Sequence, residues 1–468
     1  MPDILKKKKK MRTNNMNNKA NYKIGFISLG CSKNQIDTEI MLKILADSGY
    51  EIVAEDIHAD IIIVNTCAFI ESAKQEAIDN ILDVAWLKTN GNLKGIIVCG
   101  CLAERYREEV LKELPEADAL VGVFSIHDIL DAVKHIENKQ NSTPFISLKP
   151  QEDFKLGGER ILTTPEYMAY IKIAEGCDNY CSYCAIPSIR GRFKSRPVED
   201  IIKEAEELAD IGVKELCIVA QDTTRYGEDL YGAYKLPELL NRLCGIADIK
   251  WIRLLYCYPD KITDELVETI KNQEKILKYI DMPIQHINDD ILKSMNRSGK
   301  SEAIKSAIDK LRKNIPGITI RTTVITGFPG ETKEQFGELC EFIKEIKFER
   351  LGSFMYSAED GTPAAGFENQ INEKEKARRQ KLIMSIQERL NYNLNQKKLG
   401  KTIKVLCEGF DKVGGVYYGR SEFDAPEIDG KIYFTTSSGD FLPKSPDGDF
   451  INVKIEKVLD YDLFGVIV

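Results

Sequence analysis

Histidine is scarce in this chain, with four in 468 residues: His58, His127, His135 and His286. Each is expected to be structural or solvated rather than a ligand, and His286, in Pro283-Ile284-Gln285-His286 at a strand end, is the one to test. Long apolar runs are missing as well. None approaches the roughly 18 residues that a membrane span needs, which argues against membrane residence. The basic start, Lys6 to Lys10 followed by Met11-Arg12-Thr13-Asn14-Asn15, has no apolar segment behind it and does not read as a secretory signal. Residues 1 to 20 are expected to be a disordered basic tail, and the protein to be cytoplasmic. An excess of positive charge is also lacking. The formal net charge of −8 disfavours a surface devoted to a phosphate backbone, suits a basic protein partner, and leaves direct nucleic-acid binding open.

Cysteine is plentiful. Twelve in an apparently cytosolic chain argue against a disulfide framework and for metal or redox chemistry. Three of them lie in Glu175-Gly176-Cys177-Asp178-Asn179-Tyr180-Cys181-Ser182-Tyr183-Cys184, a C-x3-C-x2-C loop behind the strand-like Tyr170-Ile171-Lys172-Ile173-Ala174. A closed zinc site needs a fourth Cys or His, and none is close in sequence, so a zinc reading requires a distant ligand. Three thiolates on an iron–sulfur cubane instead leave one iron free for a small molecule. The spacing, with Tyr183 just before the last Cys, resembles the signature of the radical S-adenosylmethionine (radical SAM) superfamily. Six other cysteines, Cys99, Cys217, Cys244, Cys257, Cys340 and Cys407, fall mostly in apolar patterns where a thiol acts as a small hydrophobe.

The length predicts about three domains. Residues 21 to 138 alternate strand and helix patterns, which predicts an open α/β domain with a parallel sheet. Expected strands are Tyr22 to Ser28, Ile61 to Val64, Gly95 to Val98 and Ala119 to Val121. Expected helices are Asp37 to Ser48, one within Glu71 to Thr89, Glu104 to Leu114 and Ile126 to Ile136. Loops beyond the strand carboxyl ends gather in one crevice in such a sheet. Cys31, Cys67 and Cys101 each follow a strand, so they are candidates for a second three-thiolate site, with separate free thiols as the alternative. Cys101, beyond Gly100, is preferred to Cys99, which ends the apolar run.

Residues 139 to 165 mix Asn, Ser, Thr, Pro and Gly and read as a linker. From 166 to 395 the alternation supplies six strand–helix units, fewer than the eight of a closed TIM barrel, which predicts a partial (β/α)6 barrel with its chemistry at the strand carboxyl ends. Residues 396 to 468 switch to short strands and turns and predict a small all-β barrel. That segment holds ten Lys and Arg against twelve Asp and Glu, a net of −2.

The whole layout resembles the methylthiotransferases: an N-terminal domain with three scattered cysteines, a radical SAM core and a TRAM-like terminal barrel. The resemblance spans about residues 21 to 468. Ser28-Leu29-Gly30-Cys31-Ser32-Lys33-Asn34, Phe69-Ile70-Glu71-Ser72-Ala73-Lys74-Gln75-Glu76, Ile186-Pro187-Ser188-Ile189-Arg190-Gly191 and Asp424-Ala425-Pro426-Glu427-Ile428-Asp429-Gly430 are similar to the branch that acts on ribosomal protein S-twelve. Ser32 stands where that branch more often has Pro. The branch acting on tRNA adenosine shares the cysteines and is the alternative; a non-catalytic metal- or RNA-binding protein is a further one.

The resemblance implies two 4Fe-4S clusters, one on Cys177, Cys181 and Cys184 and an auxiliary one on Cys31, Cys67 and Cys101. It also implies S-adenosylmethionine as cofactor and an electron donor such as flavodoxin or ferredoxin. The reaction implied is radical insertion of sulfur and a methyl group at the β-carbon of an aspartate. Candidate S-adenosylmethionine contacts are Tyr183, Gln221, Asp222, Arg321 and Gly327. Gln221 and Asp222 stand in Ala220-Gln221-Asp222-Thr223, where the superfamily has a Gly-Gly-Glu-like segment. Arg321 suits a carboxylate through its guanidinium fork, with an ion pair inside the protein as the alternative. The acidic stretch with Glu422, Glu427 and Asp429 is the candidate contact for a basic loop of the ribosomal protein.

Overall fold

The computed structural model describes residues 22–138, 143–437 and 446–468. The expected basic tail lies outside the described residues. The chain divides into two compact units. The first holds the chain up to Thr163 together with Ala185–Gly191, and the second holds Thr164–Cys184 and Arg192–Val468.

In the first unit, strands β1 (Lys23–Ser28), β2 (Glu51–Val53), β3 (Ile61–Thr66), β4 (Gly95–Gly100), β5 (Ala119–Val121) and β6 (Phe145–Ser147) form one sheet in the order β2-β1-β3-β4-β5-β6. Every pairing in it is parallel. All residues of β3 and β4 are buried, as a parallel sheet covered on both faces requires. Strand β6 falls in the stretch expected to be a linker. Three residues at a sheet edge are too short to show a period, and their pairing with β5 is a tertiary effect.

Two helices differ from their expected bounds. The helix Ser32–Asp47 starts five residues before Asp37, because buried polar Lys33 and Asn34 interrupt the apolar pattern of its first turn. The expected helix Glu104 to Leu114 is two short helices, Cys101–Tyr106 and Glu109–Glu113, broken where Arg107 takes a positive φ of 50°.

In the second unit, β7 (Met168–Lys172) leads through a small ribbon, β8 (Ala174–Glu175) and β9 (Lys194–Ser195), to β10 (Glu215–Val219), β11 (Trp251–Leu254), β12 (Ile276–Asp281), β13 (Thr319–Thr326) and β14 (Arg350–Met355). The large sheet runs β14-β13-β12-β11-β10-β7, all parallel, and no β14–β7 pairing closes it among the described residues. This is a six-stranded partial barrel. The helix Glu373–Gln396 then leads to β15 (Thr402–Asp411), β16 (Val416–Ser421), β17 (Ile432–Thr435), β18 (Phe450–Leu459) and β19 (Asp462–Ile467), a closed barrel in the order β15-β16-β17-β19-β18. Its interior is apolar, built on Val405, Tyr417, Ile432, Phe434, Val453 and Leu463.

Buried ion pairs join this barrel to the core strands. Glu215, at the start of β10, receives Arg420 at 2.7 Å and Arg253 at 2.9 Å. Burial opposes its ionisation, but the two guanidinium groups hold its carboxyl down at about 2. Arg350 pairs with Asp424, and the Tyr279 hydroxyl donates to Asp429 at 2.6 Å. The acidic stretch expected to face a partner is thus largely spent inside the protein. The Asp429 side chain is only 3% exposed and lies 3.6 Å from Arg321. Glu422 is half-buried and Glu427 alone of the three is exposed. Charge balance suggested an open acidic face, but the carboxylates at 424 and 429 neutralise arginines of the core.

Candidate active site: two thiol triads

Cys31, Cys67 and Cys101 follow β1, β3 and β4, which are adjacent in the sheet. Their loops therefore leave the same sheet edge side by side. Gly30 has φ +90°, and a Cβ there would lie 2.8 Å from the Cys67 Cβ and 3.1 Å from its sulfur. Gly100 has φ +88°, and a Cβ there would lie 2.3 Å from Asn65 Oδ1 and 2.7 Å from the Thr66 carbonyl. Only glycine permits both the backbone conformation and the approach.

Polar side chains tie the three loops together. Asn34 Nδ2 donates to the Thr66 carbonyl at 2.7 Å and the Leu29 carbonyl at 3.1 Å. Asn65 Nδ2 donates to the Asn34 carbonyl at 2.8 Å, and the Leu102 amide donates to Thr66 Oγ1 at 3.2 Å. Each loop is thereby fixed to the next.

Each thiol of this triad lies in the electrostatic field of another. Burial raises the Cys67 thiol, and Cys31 raises it further. Burial pushes Cys101 up to about 12, with Arg190 opposing and Cys67 and Cys31 adding to the rise. Desolvation by the neighbouring loops would raise Cys31, the exposed member of the triad, but Lys33, Arg190 and the amides of Asn34 and Lys33 outweigh it, so its thiol is lowered overall. Cys99 turns elsewhere, with its sulfur 3.9 Å from that of Met41 inside the sheet packing.

The second triad occupies the loop after β8. Cys177 and Cys181 are buried and Cys184 is half-buried. The loop needs left-handed backbone at Gly176 (φ 78°) and Tyr180 (φ 47°). It is pinned from several sides: Asn296 Nδ2 donates to the Tyr180 carbonyl at 2.8 Å, the Ser182 amide to the Met295 carbonyl at 2.9 Å, and Asn179 Nδ2 to Asp222 at 2.9 Å. Burial pushes Cys177 up to about 11, with the Asn179 amide opposing. The Cys181 sulfur lies 3.8 Å from the Tyr258 hydroxyl, and Arg297 stacks on the Tyr258 ring at 4.3 Å.

Among the described residues, no three His, Cys, Asp or Glu side chains gather around a point that one ion would occupy. Thiolates sharing an iron–sulfur cluster bind different irons and stand further apart. Three thiols with no fourth His, Cys, Asp or Glu grouped with them among the described residues, two of each three buried, with Cys31 exposed and Cys184 half-buried, fit such a cluster.

Residues 23–122 match the uncharacterized protein family UPF0004, residues 171–343 the radical SAM superfamily and residues 399–468 the TRAM domain. The chain is 50% identical over 442 residues to the ribosomal protein uS12 methylthiotransferase RimO of Thermoanaerobacter sp. (strain X514), covering 94% of this chain and 99% of that one. The chain belongs to the RimO family. It is also 49% identical over 444 residues to the RimO protein of Clostridioides difficile (strain 630), covering 95% and 98%. A solved radical S-adenosylmethionine methyltransferase, TsrM of Kitasatospora setae, superimposes with a TM-score of 0.55 at 12% identity, covering 83% of this chain and 78% of that one. At that identity it shares the fold alone.

The RimO-family framework sorts the remaining candidates by their surroundings. Gln221 donates to Glu175 at 2.6 Å while its own Oε1, buried, has no partner. Glu175 is in turn fixed by Lys172 at 2.7 Å. Tyr183 packs beside Met295, Phe328 and Tyr356. Asp222 is fully buried and committed to Asn179, Thr224 and Lys261, so it holds the cysteine loop rather than offering a free acceptor. Arg321 pairs with Asp281 at 2.8 Å and lines a cavity of about 340 Å³ with Asp429 and Tyr461 at the junction with the terminal barrel. The internal ion pair weighed against its ligand role is what the structure contains. Gly327 donates its amide to Glu331 at 2.5 Å, and Lys376 covers its Cα. His286 is buried against Glu331 at 3.2 Å, in a structural role.

Sequence reasoning missed the residues around the sulfurs. Arg190 and Arg297 carry no spacing signal; Arg190 stands in the segment Ile186-Pro187-Ser188-Ile189-Arg190-Gly191 that resembles the family, but nothing in that segment links it to Cys101.

Proposed function

We propose that this protein inserts sulfur and a methyl group at the β-carbon of an aspartate of ribosomal protein uS12. The reading assigns Cys177, Cys181 and Cys184 to the cluster that binds S-adenosylmethionine, and Cys31, Cys67 and Cys101 to an auxiliary cluster. When bound, the first supplies the electron for reductive cleavage of S-adenosylmethionine and the second supplies sulfur. What supports the reading is the placement of three dispersed cysteines at adjacent strand ends in a chain with the local triad, joined to 50% identity over 94% of the chain with a uS12 methylthiotransferase.

The protein's own residues bind, orient and exclude water. Burial keeps Cys177 and Cys181 out of solvent. Gln221, held by Glu175, turns its unpartnered Oε1 toward use as an acceptor for the ammonium of S-adenosylmethionine. Arg321, Asp222, Gly327 and Asp429 are left out because their polar groups or surfaces are already engaged. Glu427, being exposed, remains the candidate contact for a basic loop. A flavodoxin or ferredoxin in the cytoplasm would supply the electrons.

Mass spectrometry of uS12 and of tRNA from a deletion strain tests the substrate. Loss of the methylthio group from uS12 alone is expected. An unmodified tRNA adenosine with intact uS12 would move the activity to the tRNA branch.

A further inference from the structure

We propose that Arg190 is a positioning residue for the auxiliary triad: its guanidinium directs the Cys101 sulfur and favours the reduced state of the cluster held there. The proposal rests on the two-cluster reading above. Arg190 ends the helix Ile186–Arg190, within the segment Ala185–Gly191 that belongs to the first unit. Its side chain is only 2% exposed. Nη1 donates to Asp37 Oδ2 at 3.1 Å, while Nη2 meets both Asn34 Oδ1 and the Cys101 sulfur, the latter at 3.6 Å.

Here Nη1 meets the Asp37 carboxylate, and Nη2 reaches the Cys101 sulfur as well as Asn34 Oδ1, so the same guanidinium spans the carboxylate, the amide and the sulfur. Asn34 is shared between this arm and the carbonyls of Leu29 and Thr66, so the guanidinium sits in the same polar lattice that joins the cysteine loops. The cation cannot be lost by titration, because arginine stays protonated in proteins.

A fixed positive charge and an N–H···S contact both stabilise added negative charge on an iron–sulfur centre, and the electron that reduces a cluster is such a charge. Asp37 opposes the effect by neutralising part of the guanidinium. The other triad has its own cation in Arg297, stacked on the tyrosine beside Cys181, and serves as an internal reference.

The test uses the full chain, reconstituted anaerobically, with iron analysis followed by a redox titration of both clusters monitored by electron paramagnetic resonance. Arg190→Gln is expected to move the auxiliary cluster to a lower reduction potential while the other cluster keeps its own. Asp37→Asn, which spares the guanidinium, is expected to move it higher. Loss of about half of the roughly eight irons in Arg190→Gln, with all retained in Arg190→Lys, would equally support the directing role. An unchanged auxiliary potential in Arg190→Gln at full iron content overturns the proposal, as does an equal shift of both clusters. Wild-type protein that takes up only about four irons would instead overturn the two-cluster reading, before any variant is compared.

Discussion

The two triads place the same three side chains by opposite means. Cys177, Cys181 and Cys184 are neighbours in sequence, and the fold needs only to bend one loop, with left-handed backbone at Gly176 and Tyr180, and to pin it. Cys31, Cys67 and Cys101 are separated by more than thirty residues each and meet because β1, β3 and β4 are adjacent. A local site is written in spacing; a dispersed site is written in strand order. The dispersed site depends on everything that fixes three loops at one sheet edge, which is why Asn34, Asn65 and Thr66 are buried polar residues there.

Replacing single thiols gives the largest effects and breaks the comparison most directly. Cys101→Ala and Cys177→Ala should each lose about half of the roughly eight irons and abolish product formation, with only Cys177→Ala also abolishing S-adenosylmethionine cleavage. Iron analysis and a cleavage assay check this. Retention of all iron in Cys101→Ala, with loss in Cys99→Ala, would exchange the two residues.

A smaller but sharper effect is expected at Gly100→Ala. The added Cβ would stand 2.3 Å from Asn65 Oδ1 on a backbone of φ +88°, a conformation that alone costs about 1–3 kcal/mol for other residues. Auxiliary iron should fall while the Cys177 site stays loaded, as separate spectroscopic signatures would show. Equal loss at both sites would mean that the strand-end geometry is not specific to one triad.

The remaining prediction concerns acid and stability rather than iron, and it separates the units. Glu215 lies wholly in the second unit, its carboxyl held at about 2 against an ordinary 4.5 by Arg420 and Arg253 despite burial. A carboxyl depressed in the folded state stabilises above its ordinary value and loses that contribution as pH falls from about 4.5 through about 2. Glu215→Gln should destabilise the protein near neutrality, by about 3 kcal/mol or more for a buried pair broken on one side, and should flatten the acid limb of a thermal-melt series. An unchanged acid limb would assign no net stabilisation to this network.

Strand and helix alternation and the six-stranded partial barrel were legible because buried parallel strands carry apolar runs such as Ile61-Ile62-Ile63-Val64, and the terminal β-barrel because its short strands are separated by turn residues. The C-x3-C-x2-C loop was legible for the same kind of reason, since its information is local. Strand β6 was not, because three edge residues carry no period. The fate of Asp424 and Asp429 was not legible either: charge counting cannot tell an open acidic face from carboxylates that neutralise distant arginines, Arg350 being 74 residues from Asp424, and Arg321 lying beside Asp429. Arg190 illustrates the same limit at the site itself, since its contact with Cys101 spans 89 residues.

The seven residues Ala185–Gly191 have a consequence for anyone who would transplant parts of this protein. They cluster with the first unit although the chain on both sides of them belongs to the second. A graft of the N-terminal segment alone would carry Cys31, Cys67 and Cys101 but leave behind their guanidinium, while a radical core exchanged on its own would import a foreign arginine, or none, into its neighbour's sulfur site. The two parts are therefore a single unit of inheritance, to be swapped together or not at all.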